Sequence, residues 1–441
     1  MNSEFSTKNI FRLAWPTIIS QSTILTVGII DLLFIGQLGT AAIAAIAISN
    51  AFINTFYQFM EGIRTGTTVL TARNFGAEDK TTISKVLNLS MIFSLIIGII
   101  IILVAPIISN LVYAIAQSPE ALSAGGDKYL YIRLLETPFF LLFLAISGFF
   151  RGLENTFIPL MGSIFIFFAN IILAYSFIYG KFGVPALGVE GAAWATLMAN
   201  TIGTIAMFVF LYKSKLTKTY LKLIFKFKQL KKEYLKISLD IGIFMGLTSL
   251  AFLIFMFLFS RLGPQTIAAH QITFQVFLIS YLPPHGFLVA TTIIIGKLFG
   301  EKRKDLVLPA TLKIIFICFI FMGIISLLLF FFSYKIALLF SPMDTIVAEL
   351  ASKTIKLISM EELIATFYLI VMGALTAAKD TRFLVYVSFI SSYLVFLPTS
   401  YFLGITLKLG IFGGYLGFIV WALFDGLVLT WRFFIQRKWA K

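Results

Sequence analysis

The residues of this chain that could do chemistry are a few charged or titratable side chains inside long apolar stretches. Asp31 lies in ILTVGIIDLLFIG, and no Lys or Arg stands within one helical turn of it. Its counter-charge must therefore come from another helix, from water or from a cation. A carboxylate in this setting can bind a proton or Na⁺ and release a positively charged compound in exchange. The sequence thus predicts that Asp31 is a cation-coupling residue.

Two further polar groups occupy apolar stretches. Glu61 and Arg64 are one helical turn apart, which predicts either a buried ion pair or a pair that faces a cavity. His285 follows Pro283 and Pro284, which are expected to bend their helix and to free backbone carbonyls. Because a histidine can titrate near neutral pH, His285 is predicted as a cavity or coupling residue.

The remaining polar residues divide into inner and outer positions. Asp425, in ALFDGLVL, is predicted to lie deep in its helix, and Asn170, in FFANIILAY, can bond across helices or coordinate a cation. Glu136 and Glu361 are expected near the outer ends of their helices, where water would solvate them. His270 is expected to be a packed polar residue.

The amino-acid composition indicates whether these apolar stretches face water or lipid. Hydrophobic residues make up 59% of the chain and charged residues only 12%, whereas a water-soluble domain has roughly 25% charged residues. The outer surface must therefore face lipid. Apolar runs such as MIFSLIIGIIIILVAPIISNLV are long and unbroken, unlike the alternating strands of a barrel. The sequence predicts an all-α, multi-pass membrane protein.

The apolar runs predict about twelve transmembrane helices, and the charges between them predict their orientation. The spans lie near residues 14–36, 41–72, 84–112, 129–150, 157–180, 186–212, 237–260, 264–297, 308–339, 351–377, 382–404 and 409–435. Lys and Arg concentrate after the even-numbered spans. The positive-inside rule then places both termini in the cytoplasm, with the chain in the inner (plasma) membrane.

The same distribution explains the net charge of +15 without nucleic acid, because the basic residues stand in short loops between apolar spans. Residues 213–236 hold nine lysines in a basic amphipathic stretch, predicted as a cytoplasmic linker that lies on anionic lipid. Two histidines and one cysteine are too few for a dedicated His/Cys metal site.

The two halves of the chain resemble each other. FIGQLGTAAIAAIAISN (34–50) aligns with LFSRLGPQTIAAHQITF (258–274), and EGIRTGTTVLTARNFG (61–76) aligns with HGFLVATTIIIGKLFG (285–300), at one offset without a gap. This predicts two pseudo-symmetric six-helix lobes, residues 1–212 and 237–441. Because six is even, the repeat is parallel, an architecture typical of alternating-access transporters.

Other classes of membrane protein are less compatible with the sequence. There is no GxxxxGK[ST] loop, so ATP is not expected to drive the protein directly. A membrane enzyme would need catalytic groups clustered at one depth, and a channel would need a continuous polar stripe; neither pattern is present. The chain is therefore predicted not to be an enzyme.

The motifs resemble those of the multidrug and toxic compound extrusion (MATE) family. LAWPTIIS…GIIDLLFIGQLGTAAIAA is similar to that family's first helix, and FFRGLENTFIPL and GALTAAKDTRFLV are similar to its two loop motifs. GIRTGTTVLTARNFG is most similar to the DinF-like branch. The resemblance implies twelve helices in two lobes and efflux of amphipathic, often cationic compounds driven by H⁺ or Na⁺.

The resemblance also implies roles for individual residues. Asp31 matches the family's first-helix acidic residue, Pro16 matches the proline at which that helix bends, and Asn170 matches an asparagine beside the cation site. Three positions depart from the pattern. Ala174 stands where some relatives have an acidic residue, Thr248 or a neighbour stands where others have one, and His285-Gly286 stands where DinF-like chains often show Asp-Gly. These departures leave Asp31 as the main coupling residue and leave the ion open.

Together these features predict an antiporter that exports small organic molecules in exchange for H⁺ or Na⁺, with Na⁺ at Asp31 as one alternative. The cavity or coupling residues would be Glu61, Arg64, His285 and Asp425, and the helix-bend residues Pro16, Pro283 and Pro284. The expected partners are a small-molecule substrate and membrane lipids, with no cofactor and no nucleic acid, and the protein is expected to be a monomer. The alternative function is a flippase for a lipid-linked saccharide.

Overall fold

The computed structural model describes residues 5–440, and within that range the regular structure is entirely helical. Twelve helical segments of these residues are long and apolar enough to cross a membrane, counting one bent pair as a single span. They are α1 (Thr7–Gly36), α2 (Thr40–Gly76), α3 (Lys80–Ala116), α4 (Gly126–Leu135 with Thr137–Gly152), α5 (Phe157–Tyr179), α6 (Gly188–Lys213), α7 (Lys228–Ser260), α8 (Pro264–Gly300), α9 (Lys304–Phe340), α10 (Thr345–Ala377), α11 (Thr381–Thr406) and α12 (Gly410–Gln436). The predicted number of spans and the all-α class are confirmed.

Several spans depart from a regular α-helix. The two parts of α4 meet at Glu136 with a bend of 42°. Tyr281 interrupts α8, between Pro264–Ser280 and Leu282–Gly300, two residues before the first of the two predicted helix-bend prolines. α11 and α12 contain π-helical turns, which are often found at functional positions.

The helices pack into two compact units. Among the described residues, one comprises residues 5–18 and 243–440, and the other comprises residues 19–242. We refer to them as the C-unit and the N-unit. Their boundaries fall inside α1, shortly after Pro16, and inside α7, so each of these two helices contributes to both units. Pro16 itself is buried within the C-unit part of α1.

Backbone geometry repeats between the units, at an offset of 224 residues in the first two helices of the repeat and of 225 residues in its later part. Gly39 has φ of 102°, and its repeat partner Gly263 has φ of 103°, a region that favours glycine. Glu154 and Lys379 both adopt the left-handed conformation, with φ of 59° and 63°. Equivalent turns are therefore built in the same way in both halves.

Helix contacts repeat as well. In the N-unit the Thr68 hydroxyl on α2 donates a hydrogen bond to the backbone oxygen of Gly148 on α4, at 3.2 Å. In the C-unit Thr292 on α8 bonds to the oxygen of Gly373 on α10, at 3.3 Å. The glycines let the paired helices approach closely enough for these bonds, as is common in membrane helices.

The segment between α6 and α7 is shorter than the predicted linker, because α7 begins at Lys228 and includes its last lysines. A short 3₁₀ turn spans Lys218–Tyr220. The next residues have no regular structure, and Asn88 on α3 donates to the carbonyl oxygen of Lys222 at 2.7 Å. The basic segment is thus tied to the N-unit. Leu223 and Phe225 remain largely exposed among its lysines.

Candidate functional site

Asp31 and Asn170, the two predicted cation-coupling residues, both belong to the N-unit. Asp31 lies in the last two turns of α1, and its Oδ1 is buried with no hydrogen-bond donor within residues 5–440. Asn170 is fully buried in α5, and its Nδ2 donates to the Thr196 hydroxyl at 3.2 Å. The Asn170 Oδ1 is likewise buried with no donor in the described part of the chain. Two buried oxygen acceptors are therefore left for a ligand, water or a proton to satisfy.

Glu136, at the bend of α4, is the best-connected carboxylate of the N-unit. It accepts hydrogen bonds from the Tyr57 hydroxyl, from Arg133 Nε at 3.1 Å and from Asn200 Nδ2 at 3.2 Å. Its side chain is 0% exposed. The expectation that water solvates Glu136 near the end of a helix is therefore wrong. The bend of α4 and the donors from three helices replace water around it.

Arg133 links Glu136 to its surroundings. Its Nη1 donates to the Tyr129 hydroxyl at 3.1 Å, and its side chain is 12% exposed. Asp31 lies within electrostatic range of both Arg133 and Glu136. The counter-charge that the sequence requires for Asp31 is therefore supplied in part by Arg133 on another helix.

A chain of hydrogen bonds connects Asn170 with this ion pair. Asn170 bonds to Thr196, and Asn200, one turn further along α6, donates both to the Thr196 carbonyl at 3.1 Å and to Glu136. Asp31, Asn170, Arg133 and Glu136 thus form one polar cluster in an otherwise apolar bundle. We call it the N-unit polar cluster. Carboxylate and amide oxygens are hard ligands, suited to a proton or an alkali cation.

Glu61 and Arg64 form a second polar group on α2. Arg64 donates from Nε to Glu61 Oε2 at 2.7 Å and from Nη2 to the other carboxylate oxygen. The structure therefore matches the ion-pair alternative for these residues. Arg151 on α4, 3% exposed, lies within electrostatic range of both, and in the sequence it belongs to the loop motif FFRGLENTFIPL. Its Nε has no partner among residues 5–440.

The C-unit carries its own buried carboxylates on α10. Glu361 and Glu362 are both 0% exposed, so the expected solvation of Glu361 is also wrong. Glu362 accepts from the Ser280 hydroxyl at 2.6 Å, and Glu361 accepts from the Tyr368 hydroxyl at 3.2 Å. Both of these donors are neutral. Adjacent buried carboxyl groups with neutral donors require a proton or another cation to compensate their charge.

The remaining predicted residues of the C-unit lie around this carboxylate pair or in the aromatic core. Asp425 on α12 is 4% exposed, lies within electrostatic range of Tyr368, and has an Oδ1 with no donor in the described range. His285 is half-buried one turn beyond Tyr281, with 5.9 Å between the ring centroids. His270 is buried and its Nδ1 lies 3.0 Å from the Tyr415 hydroxyl, as expected for a packed polar residue.

Tyr57, Tyr281 and Arg133 are not among the site residues predicted from the sequence, although sequence features could have identified them. Tyr57 and Tyr281 are related by the repeat, and so are Glu136 and Glu361. In the N-unit Tyr57 bonds to Glu136, and in the C-unit Tyr281 lies within electrostatic range of Glu361. A tyrosine and a glutamate that recur together at equivalent positions indicate a shared buried arrangement. The spacing of three residues between Arg133 and Glu136 also indicates an ion pair on one face of a helix.

Known proteins provide an independent comparison. The MatE family model matches the chain twice, at residues 16–176 and 241–402, which is the predicted internal repeat. The probable multidrug resistance protein NorM of Thermotoga maritima is 24% identical over 434 residues, covering 98% of this chain and 93% of the relative. The uncharacterized transporter YisQ of Bacillus subtilis is 28% identical over 447 residues, covering 99% and 95%.

Solved structures agree on the fold. A crystal structure of a MATE protein in the bent conformation superposes with a TM-score of 0.86 at 22% identity, covering 98% of this chain and 96% of that one. The match of the family model over most of the chain, in both halves, settles the assignment. The chain belongs to the MatE family of multidrug and toxic compound extrusion proteins and is a membrane transporter, not an enzyme.

Proposed function

We propose that the protein is a secondary antiporter that exports amphipathic, often cationic organic compounds in exchange for H⁺ or Na⁺. It would work by alternating access of its two lobes, as a monomer in the inner (plasma) membrane with both termini in the cytoplasm. Its partners would be the exported compound and membrane lipids, without a cofactor. The relatives named as multidrug resistance proteins support the substrate class.

The observation that carries the coupling proposal is the pair of unsatisfied acceptors in the N-unit polar cluster. The Asp31 and Asn170 oxygens are buried without donors in residues 5–440. A buried, uncompensated carboxylate is costly, so a bound proton or Na⁺ stabilises the cluster. Release of that cation leaves a negative site, which attracts a positively charged compound. Ion and substrate thereby compete for one charge, which is the basis of exchange.

The carboxylates of the C-unit, Glu361, Glu362 and Asp425, are proposed as secondary coupling residues. Glu361 and Glu362 are buried beside neutral hydroxyl donors, and Asp425 is buried with an Oδ1 that has no donor in residues 5–440, so their charges also need a compensating cation. We place Asp31 first because it has an unpartnered oxygen and lies within electrostatic range of the positive charge of Arg133. This charge lowers the free-energy cost of an ionised Asp31, so a cation can bind to the carboxylate and leave it again.

The flippase alternative is not favoured by the relatives, which carry multidrug resistance names. The buried arginines near α2 support it weakly, because Arg64 already binds both carboxylate oxygens of Glu61, and only Arg151 keeps a buried Nε without a partner among residues 5–440. A cavity for a pyrophosphate would need free guanidinium or ammonium groups.

The test is efflux of a cationic dye from proteoliposomes, with a pH gradient and a Na⁺ gradient imposed separately. We expect one gradient to drive efflux in the wild type and Asp31→Asn to abolish the response while the protein stays folded. Glu120→Gln is the matched control, since Glu120 is an exposed carboxylate of the same unit. No dye movement under either gradient, or normal transport by Asp31→Asn, would refute the proposal.

A further inference from the structure

The N-unit polar cluster contains three formal charges, and their roles differ. Glu136 is held by donors from Tyr57, Arg133 and Asn200, which occupy most of the positions that a carboxylate offers. Asp31, in contrast, has a buried oxygen without a donor in the described chain. Glu136 is therefore the fixed negative charge of the cluster, and Asp31 is the one whose partner can change.

Arg133 is the fixed positive charge. Its Nε binds Glu136 at 3.1 Å, its Nη1 binds the Tyr129 hydroxyl at 3.1 Å, and its guanidinium carbon lies 5.9 Å from the centroid of the Tyr129 ring. An arginine stays protonated in proteins, and the two tyrosines of the cluster, Tyr57 and Tyr129, are neutral near pH 7. Arg133 thus contributes one permanent positive charge against the two carboxylates, through its ion pair with Glu136 and at longer range to Asp31.

With Asp31 ionised, the cluster has two negative charges and one positive charge, so one negative charge is left over. A single monovalent cation restores neutrality in this poorly hydrated environment. A dication would leave an excess positive charge beside Arg133, which is unfavourable where few water molecules can screen it.

We propose that Arg133 sets the charge of the ligand that the N-unit polar cluster accepts, and that the ligand is a monocation. One proton, one Na⁺ or one singly charged organic cation satisfies the site at a time, and doubly charged compounds are selected against. This inference rests on the proposed exchange function and adds the charge class of the substrate. Arg133 acts here as a positioning residue and specificity determinant, through the charges of Glu136 and Asp31.

The experiment measures binding, so that it does not depend on transport. Purified protein in detergent is titrated with ethidium, a monocation, and with propidium, a dication with the same ring system, and both dissociation constants are measured by fluorescence. We expect the wild type to prefer ethidium. In Arg133→Gln the leftover charge doubles, and the preference should shift toward propidium by at least about tenfold, a modest effect for a unit charge near a buried site.

Three variants control the result. Arg133→Lys keeps the positive charge and should keep the wild-type preference. Lys128→Gln removes an exposed cation of the same helix, paired with Glu190 at 3.1 Å, and should change nothing. Glu136→Gln leaves Asp31 and Arg133 as a balanced pair and should weaken ethidium binding at least about tenfold. It also serves as the second test if Arg133→Gln does not fold.

The outcomes separate the two proposals. A propidium-to-ethidium ratio within about twofold of the wild type in Arg133→Gln, or unchanged ethidium binding by Glu136→Gln, overturns the role of Arg133. If the wild type binds ethidium but does not exchange it in proteoliposomes, the proposed antiport fails while the charge rule stands. If the wild type binds neither dye, both are overturned.

Discussion

Gly373 packs so closely against α8 that the effect of adding a methyl group to it can be predicted in detail. On α10 it faces the backbone oxygen of Leu288 on α8, and a methyl group added to Gly373 would lie 2.7 Å from that oxygen. Ordinary contacts begin at 3.4 Å, so the helices must move apart by about 0.7 Å, the difference between these distances. Thr292, which donates to the Gly373 carbonyl at 3.3 Å, would lose part of that hydrogen bond.

These effects give a magnitude for Gly373→Ala. Overpacking costs about 1–3 kcal/mol, and the weakened hydrogen bond adds up to about 1 kcal/mol. The better helix propensity of alanine returns about 0.5–1 kcal/mol. The midpoints of these terms give a net destabilisation of about 2 kcal/mol, which lowers the Tm by about 2 °C for a chain of 441 residues.

The assay is thermal unfolding of the purified protein in detergent, with Gly323→Ala as the control. Gly323 lies in α9 with nothing within 4 Å of an added methyl group, so this variant should be neutral or slightly stabilising. Gly148→Ala, the repeat counterpart in the N-unit, should be destabilised at least as much as Gly373→Ala. Equal Tm values for Gly373→Ala and Gly323→Ala would refute the close helix packing on which the repeat is built.

Three further predictions follow from contacts outside the polar clusters. Asp380 accepts from Arg432 at 2.7 and 3.0 Å, so Asp380→Asn should cost about 1–3 kcal/mol, measured as a lower Tm, whereas an unchanged Tm would contradict the paired geometry. Burial opposes ionisation of Asp79, but hydrogen bonds from Thr82 outweigh it and lower the pKa of Asp79. Its contribution is therefore present above the unfolded pKa and lost as pH falls through the folded pKa, so the Tm difference between wild type and Asp79→Asn should shrink below about pH 4; a difference that grows would contradict this. Cys318, the single cysteine, is 0% exposed, and a membrane-permeant maleimide should label it only after unfolding; rapid labelling of the native protein would disprove its burial.

The helical architecture could be predicted from the sequence because membrane spans are encoded locally. Runs of about twenty apolar residues predict each helix, and the offset between the two halves predicts their equivalence. The apolar pattern predicts a start of α7 that is later than the observed Lys228, since the first turns of this helix are rich in lysine and carry no apolar run. The division into residues 1–212 and 237–441 stays a prediction. The compact units observed divide inside α1 and α7.

The candidate site could be predicted only in part, for a physical reason. Asp31 and Asn170 stand out because a polar residue inside an apolar run is costly wherever it lies. From the sequence, Glu136 and Glu361 can be placed along their helices, but the hydrogen-bond donors that other helices bring to them cannot be identified. The position along the helix alone predicts contact with solvent. The bend of α4 and the approach of Tyr57 and Asn200 bury Glu136, and neither can be read from local pattern.

The most direct test of the coupling account is ion movement driven by substrate. Proteoliposomes are loaded with ethidium, without an initial ion gradient, and H⁺ and Na⁺ fluxes are recorded as the dye leaves. The account predicts that one of these ions moves against the dye in the wild type and in Glu120→Gln, and that Asp31→Asn shows no such flux. Dye efflux without ion movement in the wild type, or the same ion flux in Asp31→Asn, would contradict it.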